Sequence, residues 1–309
     1  MLSNNEKLIA VIGATGHQGG AVVRALQASG QFKVRALTRN PGKHRELAEE
    51  VVEADLDRPE ALKAAFEGAH GVFLVTNFGE EGTDEIKRAT AAVRAAKDAG
   101  VKHLIWSTLP DVEAISGGKF HVPHFNGKAK VDCIVREAGF ANHTFVIAPF
   151  YYQNLVDVLA PQKQEDGTVG WALPIDPDVR CIHMGDIAEL GNIVAGAFAH
   201  PHEAGNGEYL PLVGDFMSFN EIVGTLNRLG HNSSFKQVPK EVFATLFPGA
   251  AEIAEMLSYF QAHTYLGSDS YDRIALANKI AGRQPTRFST WARVNFPAAS
   301  SHSLRGSIA

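Results

Sequence analysis

At 309 residues the chain is too long for one small core, and it suits one large α/β domain with an attached lobe, or two domains sharing a cleft. A hydrophobic content of 45% is ordinary for a soluble protein, and no stretch has the length and apolarity of a membrane span. A net charge of −5 gives no footprint for direct nucleic-acid binding, and two cysteines are too few for a disulfide framework, so a cytoplasmic setting without a signal peptide is expected.

The first element is the apolar, β-branched run at 8–12, followed by Gly13, Gly16 and Gly19 and then by a helix carrying Val22, Val23 and Leu26. Strand, tight turn and helix with glycines three apart form a phosphate-binding pattern. Gly13 permits the turn, Gly16 lets a pyrophosphate approach the backbone, and Gly19 lets the helix pack on the sheet. Alternation from Phe32 to Thr38 predicts a second strand ending at Arg39-Asn40-Pro41. A site for unphosphorylated NAD wants a carboxylate here for the ribose 2′-hydroxyl, and none occurs between Gly13 and Glu46. Arg39, with Lys43 behind it, suits a 2′-phosphate and hence NADP(H); the alternative is a solvated basic turn.

A third strand at 51–54 leads to Asp55 and Asp57. The spacing of Asp57 and Glu60 has the form of a capping box for a helix at 59–66. Asp55 could accept from an adenine amine or be an idle loop carboxylate. Residues 72–75 read as a central parallel strand ending at Thr76-Asn77-Phe78; a helix at 84–99 and a strand at 104–106, ending at Ser107-Thr108, follow. The alternation requires a right-handed, doubly wound parallel sheet, an α/β Rossmann class.

The next helix carries His121, His124 and Lys128, with Pro123 suited to its first turn and Val131, Ile134 and Val135 on its apolar side. Cys133 is read on that apolar side as core, with a redox thiol as the other reading. A sixth strand at 145–147 runs into APFYYQN. Beyond it, 155–182 reads as a loop-rich insertion, 186–199 as a helix with Asp186 as N-cap, 209–213 as a strand and 218–229 as a helix. The chain from His231 reads as helical and aromatic, with Phe243, Phe247, Tyr259 and Phe260 filling a core or lining a cleft. The expected organisation is a nucleotide-binding domain at 1–154, completed within 183–230, a smaller C-terminal α+β lobe for substrate or partner at 155–182 and 231–297, and a disordered tail at 298–309.

The segments GATGHQG, TRNP, VTN, HFNGK, APFYYQN and FPGA together resemble the NmrA-like family of atypical short-chain dehydrogenase/reductases, and in particular its NADPH-sensing branch. The resemblance implies NADP(H) held by Gly13, Thr15, Gly16, Gln18, Gly19, Arg39 and Lys128, to which His17, Lys43 and Asp55 are added as candidate cofactor residues. Thr76 and Asn77 would lie beside the nicotinamide half, and Pro149, Tyr151 and Asn154 in the segment that closes over the ring. Active relatives place Tyr four residues before the lysine on one helix face, so that the lysine lowers the phenol pKa. Here His124 occupies that position, leaving Lys128, His124 and Ser107 or Thr108 as half of a catalytic site.

Two functions follow, beside a third reading as a purely structural interaction protein. One is a redox-sensing regulator that binds NADP(H), has little or no dehydrogenase activity and reports to a protein partner. The other is an NADPH-dependent reductase of a small apolar carbonyl, quinone or enone, with His124 or Tyr151 as proton donor. A metal reading of His121 and His124 lacks a third ligand nearby. Substrate and oligomeric state stay open, a homodimer being a common arrangement for helices that flank such sheets.

Overall fold

A computed structural model of the chain describes residues 6–77, 84–164 and 166–296. Phe78 and the tail expected at 298–309 lie outside the described residues. The chain forms two compact units, the first from Met1–Pro149, Ile187–Val213 and Leu266–Pro285, the second from Phe150–Asp186, Gly214–Tyr265 and Thr286–Ala309.

The first unit opens with β1 (Lys7–Val11), α1 (His17–Ser29), β2 (Phe32–Thr38), β3 (Glu50–Glu53), α2 (Pro59–Phe66) and β4 (Gly71–Leu74). It continues with α3 (Glu85–Asp98), β5 (His103–Thr108), α4 (Val112–Ser116), α5 (Pro123–Glu137) and β6 (Asn142–Ile147). The second unit then takes β7 (Phe150–Tyr151), β8 (Gln162–Lys163), β9 (Val169–Leu173) and β10 (Ile182–Gly185), before α6 (Leu190–Ala199), α7 (Pro201–Ala204) and β11 (Asn206–Pro211) return to the first. The remaining elements are β12 (Asp215–Met217), α8 (Phe219–Arg228), β13 (Ser233–Gln237), α9 (Lys240–Phe243), α10 (Ala250–His263), α11 (Tyr271–Ala281) and α12 (Phe288–Asn295). Of these only α11 belongs to the first unit.

Seven strands make one parallel sheet in the order β11-β6-β5-β4-β1-β2-β3. This is the doubly wound α/β arrangement expected from the alternating pattern, and the strand order reverses between β1 and β4, where such sheets open a crevice beyond their carboxyl ends. β4 and β5 are buried along their whole length, which explains their unbroken apolar runs. On one face Ala10, Val72, Leu104 and Trp106 meet Leu62 and Phe66 of α2, Val93 of α3 and Val131 of α5 in a single core. α6 lies against α1 and α11 with backbones touching: a Cβ on Gly191 would fall 2.1 Å from Ala21 O, and one on Gly196 2.0 Å from Ile280 O.

The second unit carries two three-stranded sheets, β12-β10-β7 and β13-β9-β8. Three of its aromatic residues, Phe243, Tyr259 and Phe260, are buried, while Phe247 is exposed. Three strands lie where sequence suggests other structure, β8 among them, within the insertion at 155–182. β9 falls within the insertion read as loop-rich, and β13 within the stretch read as helical. They pair in parallel, and the pairing is close because Gly170 has no Cβ to strike Ser234 O, 1.8 Å from where one would sit.

Three local readings are corrected. Asp57 does not cap α2: Arg58 stands at the N-cap without a side-chain bond, and Arg88 of α3 takes the Asp57 carboxylate instead. Asp186 does not begin an α-helix, because a 3₁₀ turn at Ile187–Glu189 precedes α6, whose N-cap is Glu189; the Asp186 carboxylate accepts from Gln153 Nε2 at 2.6 Å. Cys133 is exposed rather than core, since at 100° per residue it lies about 200° from both Val131 and Val135, and Asp132 is buried in its stead.

Candidate functional site

The turn after β1 is built by backbone. Gly13 takes φ 66°, in the left-handed region, and a Cβ there would already touch Val75 Cγ1 at 3.0 Å. A Cβ on Gly19 would sit 2.2 Å from Gly13 O, so a bare α-carbon is what lets α1 start against the strand. Gly16 differs from these two. Inside the molecule its Cβ would meet only Gly13 O, at 3.4 Å, an ordinary contact, so packing does not demand glycine there. Thr15, Gly16 and His17 are exposed on the turn. Gly16 is the N-cap of α1, and the helix has no side-chain cap and no acidic residue in its first turn. A helix start without a side-chain cap, its positive dipole end beside a glycine with room above it, fits a dinucleotide pyrophosphate.

The ends of β2 and β3 supply charge. Arg39 is exposed directly after β2, and exposed Lys43 ends a short 3₁₀ turn at Pro41–Lys43. The Asp55 carboxylate accepts from the Asp57 N–H at 3.1 Å. Hydrogen bonding by the Arg88 guanidinium, and then the charges of Arg88 and Arg39, hold Asp57 below the usual carboxylate range. Arg39 therefore sits within electrostatic reach of Asp57.

The ends of β4 and β5 meet α5 around a buried cation. Lys128 is only 6% exposed, and its Nζ donates to Thr76 O at 3.0 Å, Thr76 Oγ1 at 3.1 Å and Glu85 Oε1 at 2.6 Å. The Thr76 hydroxyl in turn donates to Glu85 Oε1. The ammonium also lies 5.0 Å from the centre of the Trp106 ring. Burial pulls the Lys128 pKa down, while the charge and hydrogen bond of Glu85, and the charge of Asp132, oppose that pull. Glu85 escaped the sequence reading because an acid in the first turn of a helix is ordinary; Asp84, immediately before it, does cap α3 by accepting from Lys87 N.

Ser107 is buried, and its hydroxyl donates to Gln18 Oε1 at 2.5 Å, tying β5 to the first turn of α1. Thr108 is fully buried beside Asp132, which accepts from the Tyr209 hydroxyl at 2.8 Å; burial lifts the Asp132 carboxyl to about 6. His124 is half-buried one turn before Lys128, with its ring edge-on to Phe125 at 4.8 Å. His121 precedes α5 and pairs with Glu113 of α4. No three His, Cys, Asp or Glu side chains gather as a metal site among the described residues.

The sheet thus brings the Gly13 turn, Arg39, Asp55, Thr76, Asn77 and Ser107 to the carboxyl ends of adjacent strands, with Lys128 reaching Thr76 from α5. Pro149 follows β6 as the last residue of that segment of the first unit. Tyr151 and Asn154 belong to the second unit, Tyr151 in β7 beside Gly185 and Asn154 in a 3₁₀ turn where its carbonyl accepts from Leu159 N at 2.8 Å.

The model of the NmrA-like family matches residues 5–291. An NmrA-like family domain-containing protein of Dictyostelium discoideum is 30% identical over 272 residues, 83% of this chain and 88% of that one. The NmrA-like family domain-containing oxidoreductase FrzB of a Cladobotryum species is 33% identical over 246 residues, 72% of this chain and 73% of its own. Among solved structures, NmrA, a negative transcriptional regulator, in complex with NADP superposes with a TM-score of 0.79 at 26% identity, covering 94% of this chain and 96% of that one.

Proposed function

The chain belongs to the NmrA-like family, and we propose that it is a redox-sensing regulator that binds NADP(H) and has little or no dehydrogenase activity. In this reading the Gly13–Gly19 turn and the start of α1 hold the pyrophosphate, and Arg39 and Lys43 hold the 2′-phosphate through paired, charge-assisted hydrogen bonds. Asp55 takes the adenine amine, and Thr76, Asn77 and Lys128 grip the nicotinamide half. The complex of NmrA with NADP supports a nicotinamide dinucleotide as the ligand, and Arg39 with Lys43 is the ground for the phosphorylated form. The output is a change of self-association or of contact with a protein partner in the cytoplasm, made by the C-terminal lobe.

The observation that carries the regulator reading is the state of the lysine. Active short-chain dehydrogenases use it to lower the pKa of a phenol four residues earlier. Here His124 stands at that position, and all three N–H donors of Lys128 are directed to Thr76 and Glu85. Nothing in this arrangement prepares a proton donor of the usual kind.

A second reading is a reductase of a small apolar carbonyl, quinone or enone. Bound NADPH would supply the hydride, with Ser107 polarising the acceptor oxygen and His124 giving the proton. The oxidoreductase name of FrzB favours it. Titration with NADPH, NADP and NADH, following affinity and molecular size together, separates the two. A size change that depends on the reduced or oxidised ligand supports the sensor; turnover of quinones or enones well above the buffer rate, abolished in both Lys128→Ala and His124→Ala, replaces it with the reductase.

A further inference from the structure

We propose that Glu85 is the positioning residue of the nucleotide site: its carboxylate keeps Lys128 charged and in place, and so sets how tightly the nicotinamide half is held. The inference rests on the reading of this site as one for NADP(H) and assigns a role to a residue outside the glycine turn and outside the His124, Lys128 and Ser107 set.

An ammonium has three N–H groups, and those of Lys128 are divided between the Thr76 carbonyl, the Thr76 hydroxyl and Glu85 Oε1. A ribose hydroxyl that takes a bond from Nζ must displace one already made. The neutral hydroxyl contact at 3.1 Å is the weakest of the three, and the charge-assisted contact to Glu85 at 2.6 Å is the strongest. The Glu85 bond is therefore the one that persists, and it fixes the direction of the remaining donors.

A lysine this buried is driven toward its neutral form unless an anion stands beside it. Among the described residues, the groups facing it are Thr76 from the segment after β4, Glu85 from α3, the Trp106 ring from β5 and, on its own helix, Asp132. Of the two carboxylates only Glu85 touches the amine, and Asp132 is itself pushed toward the protonated form by burial. Glu85 is mostly buried too, its side chain 13% exposed, so solvent does little to weaken the pair. Thr76 completes the unit by accepting from Lys128 and donating to Glu85 through one hydroxyl.

A purely structural pair linking α3 to α5 would affect stability alone. A positioning role also changes the pH dependence of ligand affinity. The test is NADPH affinity by calorimetry between pH 6 and pH 9 for the wild type, Glu85→Gln, Glu85→Asp and Lys128→Met, with circular dichroism confirming the fold of each. Expected is a Glu85→Gln affinity that, taken relative to the wild type at each pH so that titration of the 2′-phosphate cancels, falls about tenfold or more as pH rises and the amine loses its proton. Glu85→Asp keeps the charge, so its affinity is weaker but in constant ratio to that of the wild type, which keeps the proposal testable should Glu85→Gln fail to fold. The proposal is overturned if Lys128→Met weakens binding while Glu85→Gln follows the wild type at every pH, or if Glu85→Asp acquires a steep pH dependence relative to the wild type. A wild-type protein that does not bind NADPH, or a Lys128→Met variant that binds it unchanged, overturns the site reading itself and this inference with it.

Discussion

The carbonyl oxygen of Gly13 lies 2.2 Å from the point where a Cβ on Gly19 would be built. Backbone cannot move aside as the end of a flexible side chain can, so Gly19→Ala must shift the start of α1 away from β1. The expected cost is about 1–3 kcal/mol, the range for overpacking a tight contact, read as a lower urea midpoint. Gly42→Ala is the control: nothing lies within 4 Å of its Cβ position, and its midpoint should move little.

Replacing Arg39 tests the coenzyme preference. Loss of a charge-assisted contact costs about 1.5–3 kcal/mol, so Arg39→Ser should weaken NADPH binding by roughly ten- to a hundredfold while leaving NADH binding nearly unchanged. Equal loss for both coenzymes would remove Arg39 from its assigned contact with the 2′-phosphate.

Two buried groups give opposite pH slopes. The Thr144 hydroxyl donates to Ala204 O at 2.6 Å, so its oxygen must accept from His103 Nε2, which fixes the ring as the neutral Nε2–H form. Burial, first, and the neighbouring charges lower the His103 pKa from 6.5 to about 3. The unfolded chain takes up that proton below 6.5 and the folded one does not, so stability is lost as pH falls from 6.5 toward 3, by at most about 1.4 kcal/mol per unit. Asp132, raised from 3.8 to about 6, works the other way: the cost of its buried charge is relieved as pH falls from 6 toward 3.8. Relative to the wild type, His103→Gln should flatten the acid side of the stability profile and Asp132→Asn should steepen it, measured as denaturant midpoints from pH 4 to pH 7.

Thiol chemistry distinguishes the two cysteines. Cys133 is exposed on α5, whereas Cys181 is buried and its thiol pushed up to about 12. A disulfide reagent should modify one thiol of the folded protein promptly and the second only on unfolding, and Cys133→Ser should abolish the fast phase.

What sequence made legible was whatever a strong local constraint dictates. Gly13 and Gly19 are required by a left-handed turn and a backbone clash, and β4 and β5 by burial on both faces, so their residue types announce them. The capping box at Ser218 and Glu221 is closed in both directions, as a local signal should be. Asp57 and Glu60 have similar spacing, yet Arg88, 31 positions away, claims the aspartate. Glu85 was invisible for the same reason: its partner Lys128 is 43 positions on, and nothing near either residue reveals the pair. β13, with the sequence SSFKQ, has little apolar alternation, and its place as a strand comes from β9.

The interleaving of the two units constrains how this protein can be cut and how its gene can be recombined. The first unit receives its seventh strand, β11, only after the chain has spent Phe150–Asp186 in the second, and it receives α11 only after a further excursion through Gly214–Tyr265. Neither unit is an uninterrupted stretch of coding sequence. In a library that swaps contiguous segments among relatives, a junction between Phe150 and Pro285 leaves both units chimeric, whereas one before Pro149 leaves only the first so; junctions there that preserve whole strand-helix pairs offer the gentlest exchange.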